Sequence, residues 1–197
     1  AIITDGNSEI MMAVKSGRAI RFPESKVRPT GRGAIGVTGI EVDDEHDEVI
    51  GMICVNKEDK TRTVLVVSEK GYGKRTPLTD ADGEDVYRIT NRGGKGVKTI
   101  NVTEKTGKLV GILDVMEAED LIITCKSGIT LRTGVANIKE AGRNTQGVIL
   151  IRLDDGDEIA AISRIQEQDE DGDPSESNTG QDNNEGQEPA SDEAAEA

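Results

Sequence analysis

The sequence is poor in aromatic and cysteine residues. It has no tryptophan, one phenylalanine and two tyrosines among 197 residues, so a core must be built from Ile, Val, Leu and Met. Its two cysteines, Cys54 and Cys125, are too few and too far apart for a disulfide framework or a zinc site. Both lie in apolar runs and are expected to be buried, reduced thiols, which favours a cytoplasmic compartment. No apolar run approaches the roughly 18 residues of a membrane-spanning helix, so no membrane partner is expected.

Residues typical of catalytic sites are equally scarce. The one histidine, His46, lies in an acidic stretch and is expected to be a solvated loop residue. The acidic run 154–158 lacks the spacing of an EF-hand calcium loop, and no Gly-Lys-Ser/Thr P-loop is present. We therefore expect no catalytic residue, no bound metal and no ATP site in this chain, and interpret Tyr72 and Tyr87 as structural.

The net charge of −14 is unevenly distributed. Residues 166–197 contain 12 acidic residues and no Lys or Arg, which leaves 26 acidic against 24 basic residues in residues 1–165. The segment 166–197 is also nearly empty of apolar side chains, and such a composition predicts a disordered acidic tail. Residues 1–165 therefore form the expected folded part, and they are close to neutral.

A three-fold repeat covers that folded part. In each copy a turn glycine is followed four residues later by an arginine, and a Gly-Val pair comes further along. The turn glycines and arginines are Gly17 and Arg21, Gly71 and Arg75, and Gly128 and Arg132. The Gly-Val pairs are Gly36-Val37, Gly96-Val97 and Gly147-Val148. The copies span approximately residues 9–55, 62–115 and 120–165, with an insertion around 80–85 in the second.

Short alternating apolar runs within each copy predict an all-β fold. Residues 10–14 and 18–22 form the first predicted hairpin, with Ala19 and Arg21 on the face opposite Ile20. Further strands are predicted at the start of the chain, from Gly36 to Val42 and at 49–55, and one helical turn is predicted at 135–140. About four strands per repeat at this period are typical of radially repeated, propeller-like blades.

The second copy contains a basic, glycine-rich loop at residues 91–98. Gly93, Gly94 and Gly96 remove the side chains that would keep the backbone away from a ligand. Arg92, Lys95 and Lys98 place positive charge beside that backbone. Exposed amides and clustered cations together suit a phosphate group.

Three segments of the chain carry a family resemblance. Residues 71–78, 91–100 and 142–152 closely resemble the C-terminal domain of the bacterial DNA gyrase A protein, and residues 15–28 look like the same domain one blade earlier. The resemblance covers residues 1–165, and the acidic tail also matches the family. It implies a β-pinwheel of about six blades, of which three are present here, with duplex DNA wrapped around the outer rim.

The same resemblance implies a role in a larger enzyme, a type II DNA topoisomerase. In that family the wrapped DNA supports ATP-dependent negative supercoiling by a heterotetramer of two gyrase A and two gyrase B proteins. ATP, Mg²⁺, gyrase B and a second gyrase A are therefore implied partners of the holoenzyme. The family's catalytic tyrosine belongs to a cleavage core absent from this chain. An association with the bacterial chromosome follows from the same comparison.

One departure concerns the family's signature box, Gln-Arg-Arg-Gly-Gly-Lys-Gly. Residues 90–96 match its last five positions and not its first two. The loop also lies in what resembles the fifth blade, whereas the box of the family lies in the first.

The repeated cations are the predicted contacts with DNA phosphates, since sequence-neutral wrapping depends on the DNA backbone. They are Arg18, Arg21, Lys26, Arg28 and Arg32 in the first copy, Lys74, Arg75, Arg92, Lys95 and Lys98 in the second, and Arg132, Lys139 and Arg143 in the third, together with the glycines Gly93, Gly94 and Gly96.

Two other functions remain open at this stage. The equivalent domain of topoisomerase IV engages DNA for decatenation without a strong wrap. A propeller-type scaffold that binds proteins is a more distant alternative, because aromatic anchors are scarce. The acidic tail is a further hypothesis: a tethered polyanion beside a basic rim could compete with DNA.

Overall fold

The structure, a computed structural model, describes residues 1–42, 45–56 and 58–165. The described residues form one compact unit. The predicted acidic tail at 166–197 and two residues of the predicted acidic turn, Asp43 and Asp44, lie outside the described residues. Among the described residues, no helix is both long and apolar enough to cross a membrane.

Eleven strands make up the described part of the chain. They are β1 (Glu9–Val14), β2 (Arg18–Pro23), β3 (Val49–Val55), β4 (Arg62–Ser68), β5 (Tyr72–Pro77), β6 (Val97–Lys98), β7 (Leu109–Met116), β8 (Asp120–Cys125), β9 (Thr130–Gly134), β10 (Val148–Ile149) and β11 (Ile159–Ile165). Two one-turn 3-10 helices, Glu24–Lys26 and Val135–Asn137, follow β2 and β9. The all-β class is confirmed, as are the predicted hairpins and the turn near residue 135.

The strands form three antiparallel sheets. The first has the order β3-β1-β2-β6, the second β10-β5-β4-β7 and the third β11-β8-β9. Strands β3, β7 and β11 contact one another in turn, so they form the common inner edge of the three sheets. Glycines allow this approach, because a Cβ at Gly51 would lie 2.9 Å from Ile112 and one at Gly111 2.5 Å from Ile162. The opposite, outer edges are therefore β6, β10 and β9.

The core lies between successive sheets. Met11, Ala13 and Ala19 of the first sheet pack against Val64 and Val66 of the second. The alternate residues of β4, Leu65 and Val67, pack against the third sheet. The middle sheet is thus covered on both faces, which accounts for the almost unbroken apolar sequence of β4.

The fourth strand of a sheet comes from the following repeat. Strand β6 belongs to the second copy but pairs with β2 of the first, Ala19 opposite Val97. In the same way β10 of the third copy pairs with β5 of the second, Gly73 opposite Val148. The second and third repeats each contain four strands, as expected, but each four-stranded sheet combines strands of two repeats, because the Gly-Val strand is donated to the preceding sheet.

Two predicted strands are absent for a related reason. The segment from Gly36 to Val42 is irregular rather than extended in a sheet, and so are residues 1–4. Gly36-Val37 corresponds to the donated strands β6 and β10, but no described residue offers it a sheet edge. A strand needs a partner for its backbone groups, and here none is within reach.

Candidate nucleic-acid interface

Most of the predicted cations lie along the outer edges of the sheets. Exposed members of the set are Lys26, Arg28, Arg32, Lys95, Lys98, Arg132 and Lys139. Arg18, Arg92 and Arg143 are partly buried, with their charged ends engaged at the surface. Several of these cations recur at equivalent positions in the repeats, so the repeat sets the spacing between them.

The spacing is clearest when residues are counted back from the glycine of each Gly-Val pair. Four positions before it stand Arg32, Arg92 and Arg143, and eight positions before it stand Arg28, Arg88 and Lys139. We call these six residues the paired cations. Arg88 is exposed and shares a surface hollow with Lys95 and Asn91, and our sequence analysis missed it. Alignment on the Gly-Val pair, rather than on the turn glycine alone, would have found it.

The arginine four residues before the glycine joins neighbouring repeats. Arg92 donates from Nε to the Lys26 carbonyl at 3.1 Å and from Nη1 to the Thr38 carbonyl at 3.1 Å. Arg143 donates to the Lys98 carbonyl at 3.4 Å. Thr38 and Lys98 occupy the same position in their repeats, so the two junctions are alike.

Backbone hydrogen bonds repeat in the same way at the two junctions. The amide of Glu41 donates to the Gly94 carbonyl, and the amide of Asn101 donates to the Thr145 carbonyl, each at 3.0 Å. The basic loops of successive repeats are therefore hydrogen-bonded to each other at both junctions.

Like charges face each other at the junction of β2 and β6. Arg18 of β2 is directly opposite Lys98 of β6 in the antiparallel register. Two cations in such a pair repel each other, and the Asp47 carboxylate, whose pKa is lowered in part by Arg18, offsets some of that repulsion. Lys95 is also exposed, and its Nζ lies 3.9 Å from Glu41, a distance at which an ion pair at the surface contributes little.

The strand arginines of the first two repeats are exceptions, and the structure corrects the prediction that they contact DNA. Arg21 is 1% exposed and binds Glu9 at 2.5 Å, Asp85 at 3.1 Å and the Tyr87 carbonyl at 3.0 Å. Arg75 is 7% exposed and donates to the Ile138 carbonyl at 2.8 Å. Each clamps the following repeat onto its own sheet. Their guanidinium groups have no room for a DNA phosphate.

Lys74 is corrected in the same way. Its side chain is fully buried, and Nζ donates to the Gly142 carbonyl. Burial, with repulsion from Arg143 as a smaller cause, lowers the pKa of Lys74 to about 8. The Lys74 side chain packs beneath the loop that contains Arg143 and does not reach the surface.

Two of the three loop glycines have a role in the fold. A Cβ at Gly96 would lie 2.4 Å from the Ala19 carbonyl oxygen, so this glycine permits β6 to reach β2. The amide of Gly93 already donates to the Gly39 carbonyl at 2.6 Å, and the Gly94 carbonyl accepts from Glu41. The Gly93 amide is therefore engaged within the fold, whereas Lys95 and Lys98 of the loop are exposed.

Arg132 occupies the position of Arg21 and Arg75 in the third repeat, but its environment differs. Its side chain is 54% exposed on the outer strand β9 and binds Asp120 at 2.5 Å. The described residues contain no group of three or more His, Cys, Asp or Glu side chains that could hold a metal ion.

The arrangement matches a known family. A family model described as "DNA gyrase C-terminal domain, beta-propeller" matches residues 8–56, 62–115 and 119–166, three segments that coincide with the three repeats. The chain belongs to this family. The repeat boundaries predicted from the sequence agree with these segments to within one residue.

Individual relatives agree with this assignment. The DNA gyrase A protein of Staphylococcus aureus (strain NCTC 8325 / PS 47) is 44% identical over 169 residues, which cover 86% of this chain and 18% of that protein. A solved DNA gyrase A C-terminal domain superposes with a TM-score of 0.70 at 27% identity, over 83% of this chain and 52% of the other. The C-terminal domain of DNA topoisomerase IV superposes with a TM-score of 0.73 at 17% identity, over 84% and 49%, which shows the shared fold alone. The chain thus spans less than a fifth of the length of the curated relative.

Proposed function

We propose that this chain is a DNA-wrapping module of a DNA gyrase A protein, and that duplex DNA follows the outer edges of its three sheets. The observation that carries the proposal is the recurrence of the paired cations at equivalent places on successive repeats. One pair per repeat gives phosphate contacts at regular intervals along a curved path. Such contacts hold the DNA backbone and leave the base edges unread.

A line of contacts is needed because bending a duplex is costly. Bending 20–30 base pairs by 40–90° costs on the order of 1–6 kcal/mol, and no single surface cation offsets that. We therefore expect the contacts to act together. The single loss of one cation should weaken binding modestly, and combined losses should abolish the wrap.

The role of the whole enzyme is part of the same proposal. A wrapped segment would be presented to a cleavage core with a fixed crossing hand, and ATP-driven strand passage would then introduce negative supercoils. Gyrase B, a second gyrase A, ATP and Mg²⁺ would act through parts of the holoenzyme outside this chain, in the cytoplasm on the bacterial chromosome. The family match to the gyrase C-terminal domain and the identity of 44% to a gyrase A protein favour gyrase over the decatenating enzyme.

The test is DNA binding across a salt series. The chain is titrated with mixed-sequence duplexes, and the logarithm of the binding constant is plotted against the logarithm of the salt concentration. A steep slope that is insensitive to DNA sequence is expected from contacts with several phosphates. Absent binding, or binding that does not respond to salt, contradicts the proposal.

A pair of double variants locates the path. Lys95→Gln with Lys98→Gln removes two exposed cations of the outer edge and should reduce the salt slope by about 2 units. The matched control is Lys108→Gln with Lys126→Gln, which has the same change of charge in segments away from β6 and β10. The control should leave the slope nearly unchanged. Equal losses for both would mean that net charge, and not this edge, governs binding.

A further inference from the structure

The loop of the third repeat that contains Arg143 is bound to β5 by side chains that lie beneath it. Lys74 Nζ donates a hydrogen bond to the Gly142 carbonyl. Thr76 Oγ1 donates another to the Ala141 carbonyl at 2.9 Å. The position of Arg143 at the outer edge therefore depends on these two side chains of β5.

The loop of the second repeat is held in a different way. The first repeat has Ile20 at the position of Lys74, and Arg92 anchors its own loop through two hydrogen bonds of 3.1 Å to main-chain carbonyls. The corresponding bond of Arg143, to the Lys98 carbonyl, is longer at 3.4 Å. Because its own guanidinium group holds Arg143 less closely, the contacts beneath its loop matter more.

The fold does not need a lysine at this place. The equivalent residues of the first and third repeats are Ile20 and Leu131. Lys74 is directly opposite Val66 in the register of β4 and β5, so its side chain points towards the first sheet and is fully buried. Burial of a charged amine costs free energy that an apolar side chain does not incur. The lysine therefore has a role other than packing.

Two positive charges lie close together at this junction. Burial, and to a smaller extent repulsion from Arg143, lower the pKa of Lys74 to about 8. The charge of Arg143 also acts on Tyr87 between the two sheets: burial raises the pKa of Tyr87, and Arg143 is among the groups that oppose this rise. A phosphate bound to Arg143 would add a negative charge near Lys74 and favour its charged form.

Other charged side chains on the elements packed around Lys74 are engaged elsewhere or exposed. They are Arg75, which faces the third sheet, Asp85, which pairs with Arg21, and the exposed Arg88, Lys98, Lys139 and Glu140.

We propose that Lys74 is a positioning residue for the contact of Arg143 with a DNA phosphate, and that the bound phosphate holds the buried amine in its charged form. This role rests on the DNA-binding function proposed above. A charged amine is a stronger donor to the Gly142 carbonyl than a neutral one, so the loop is held most firmly in the form that DNA selects. The proton comes from the solvent. DNA affinity is therefore higher when Lys74 is protonated and falls as the pH rises through its pKa.

The test measures the affinity of the full chain for a mixed-sequence duplex at fixed salt, from about pH 7 to about pH 9, on either side of the pKa of Lys74. The affinity of the parent should fall by about three- to tenfold, since a tenfold change corresponds to about one unit in the pKa of Lys74 on binding. Lys74→Met keeps the length of the side chain and removes the amine. It should bind more weakly at the lower pH and lose most of the pH dependence.

A matched control removes a cation from the surface of the same edge. Lys98→Met should bind DNA more weakly at every pH and keep the pH dependence of the parent, because Lys98 is exposed. Circular dichroism confirms that both variants are folded. Ile20 and Leu131 at the equivalent positions show that an apolar residue fits in place of Lys74.

A second measurement does not depend on any variant. The Lys74 side chain is titrated by NMR with and without the duplex, and its pKa should be higher when DNA is bound. A pKa that DNA leaves unchanged, a parent affinity that does not vary with pH, or a Lys74→Met variant that keeps the pH dependence each overturns this role while DNA binding itself stands. Absent binding at the lower pH overturns the proposed function, and the role of Lys74 with it.

Discussion

Replacement of Arg21 by methionine is the sharpest test of the role assigned to the strand arginines. The guanidinium group is completely buried and forms an ion pair with Glu9, whose side chain is 11% exposed. Arg21→Met leaves that carboxylate buried without its partner. Breaking a buried pair in this way costs about 3–5 kcal/mol, so the free energy of unfolding should fall by that amount.

Arg132→Met is the matched control, because Arg132 holds the equivalent position in the third repeat. It pairs with Asp120 while 54% exposed, and loss of an exposed pair costs about 0–1 kcal/mol. Both variants are unfolded with urea at low protein concentration and followed by circular dichroism. A second variant that adds Glu9→Leu to Arg21→Met should recover much of the lost stability, since the unpaired carboxylate is then gone.

The outcome separates a structural role from a DNA-binding role. If Arg21→Met is as stable as Arg132→Met, the buried clamp does not hold the repeats together and our assignment fails. If the folded Arg21→Met protein binds DNA with a smaller salt slope than the parent, Arg21 contacts phosphate after all. We expect a large loss of stability and an unchanged slope.

Three further predictions concern single side chains. The pKa of Lys74 is about 8 in the folded protein and 10.5 in the unfolded chain, so between these pH values the unfolded chain binds more protons. The free energy of unfolding should therefore rise with pH across that window. Lys74→Met should abolish this rise, which urea unfolding curves recorded at several pH values would show. The pKa of Asp157 is lowered mainly by the hydrogen bond from Ser127 Oγ at 2.6 Å. Ser127→Ala should therefore raise the pKa of Asp157 towards 3.8 in an NMR titration. In the parent protein, the stability that the lowered pKa provides should be lost as the pH falls through that pKa. Tyr87→Phe removes the buried hydrogen bond to Thr99 at 2.6 Å. The free energy of unfolding, measured by urea denaturation, should fall by about 1–3 kcal/mol. An unchanged free energy would contradict that contact.

The hairpins and repeat boundaries could be predicted from the sequence because they depend on local patterns. A turn glycine between two short apolar runs specifies β1–β2, β4–β5 and β8–β9 wherever it occurs. The family segments at 8–56, 62–115 and 119–166 then follow the same boundaries. Each of these features is decided within about fifteen residues of chain.

Strand donation could not be predicted in this way, because a two-residue strand has no periodicity of its own. Gly36-Val37, Gly96-Val97 and Gly147-Val148 look alike in sequence, yet within the part of the chain that the structure describes the last two are paired in a sheet and the first is not. Which sheet receives a strand depends on contacts between residues far apart in the chain.

The burial of arginine was missed for a different reason. The alternation of β2 correctly placed Arg21 beside Ala19 on one face, but the sequence does not reveal that a second sheet covers that face. Arginine is normally exposed, and the ion pairs of Arg21 with Glu9 and Asp85, together with its hydrogen bond to the Tyr87 carbonyl, explain why it is buried here.

The donated strands also impose an order on synthesis. Arg18 and Lys98 face each other in the finished sheet, so the ribosome makes the accepting strand well before its partner exists. During that interval Asp85 and Tyr87, two of the partners of Arg21, have not been made, and the edge of β2 has no strand to pair with. The first sheet can be completed only after translation has passed Lys98, and slower translation before that point lengthens the time in which nascent chains can pair wrongly.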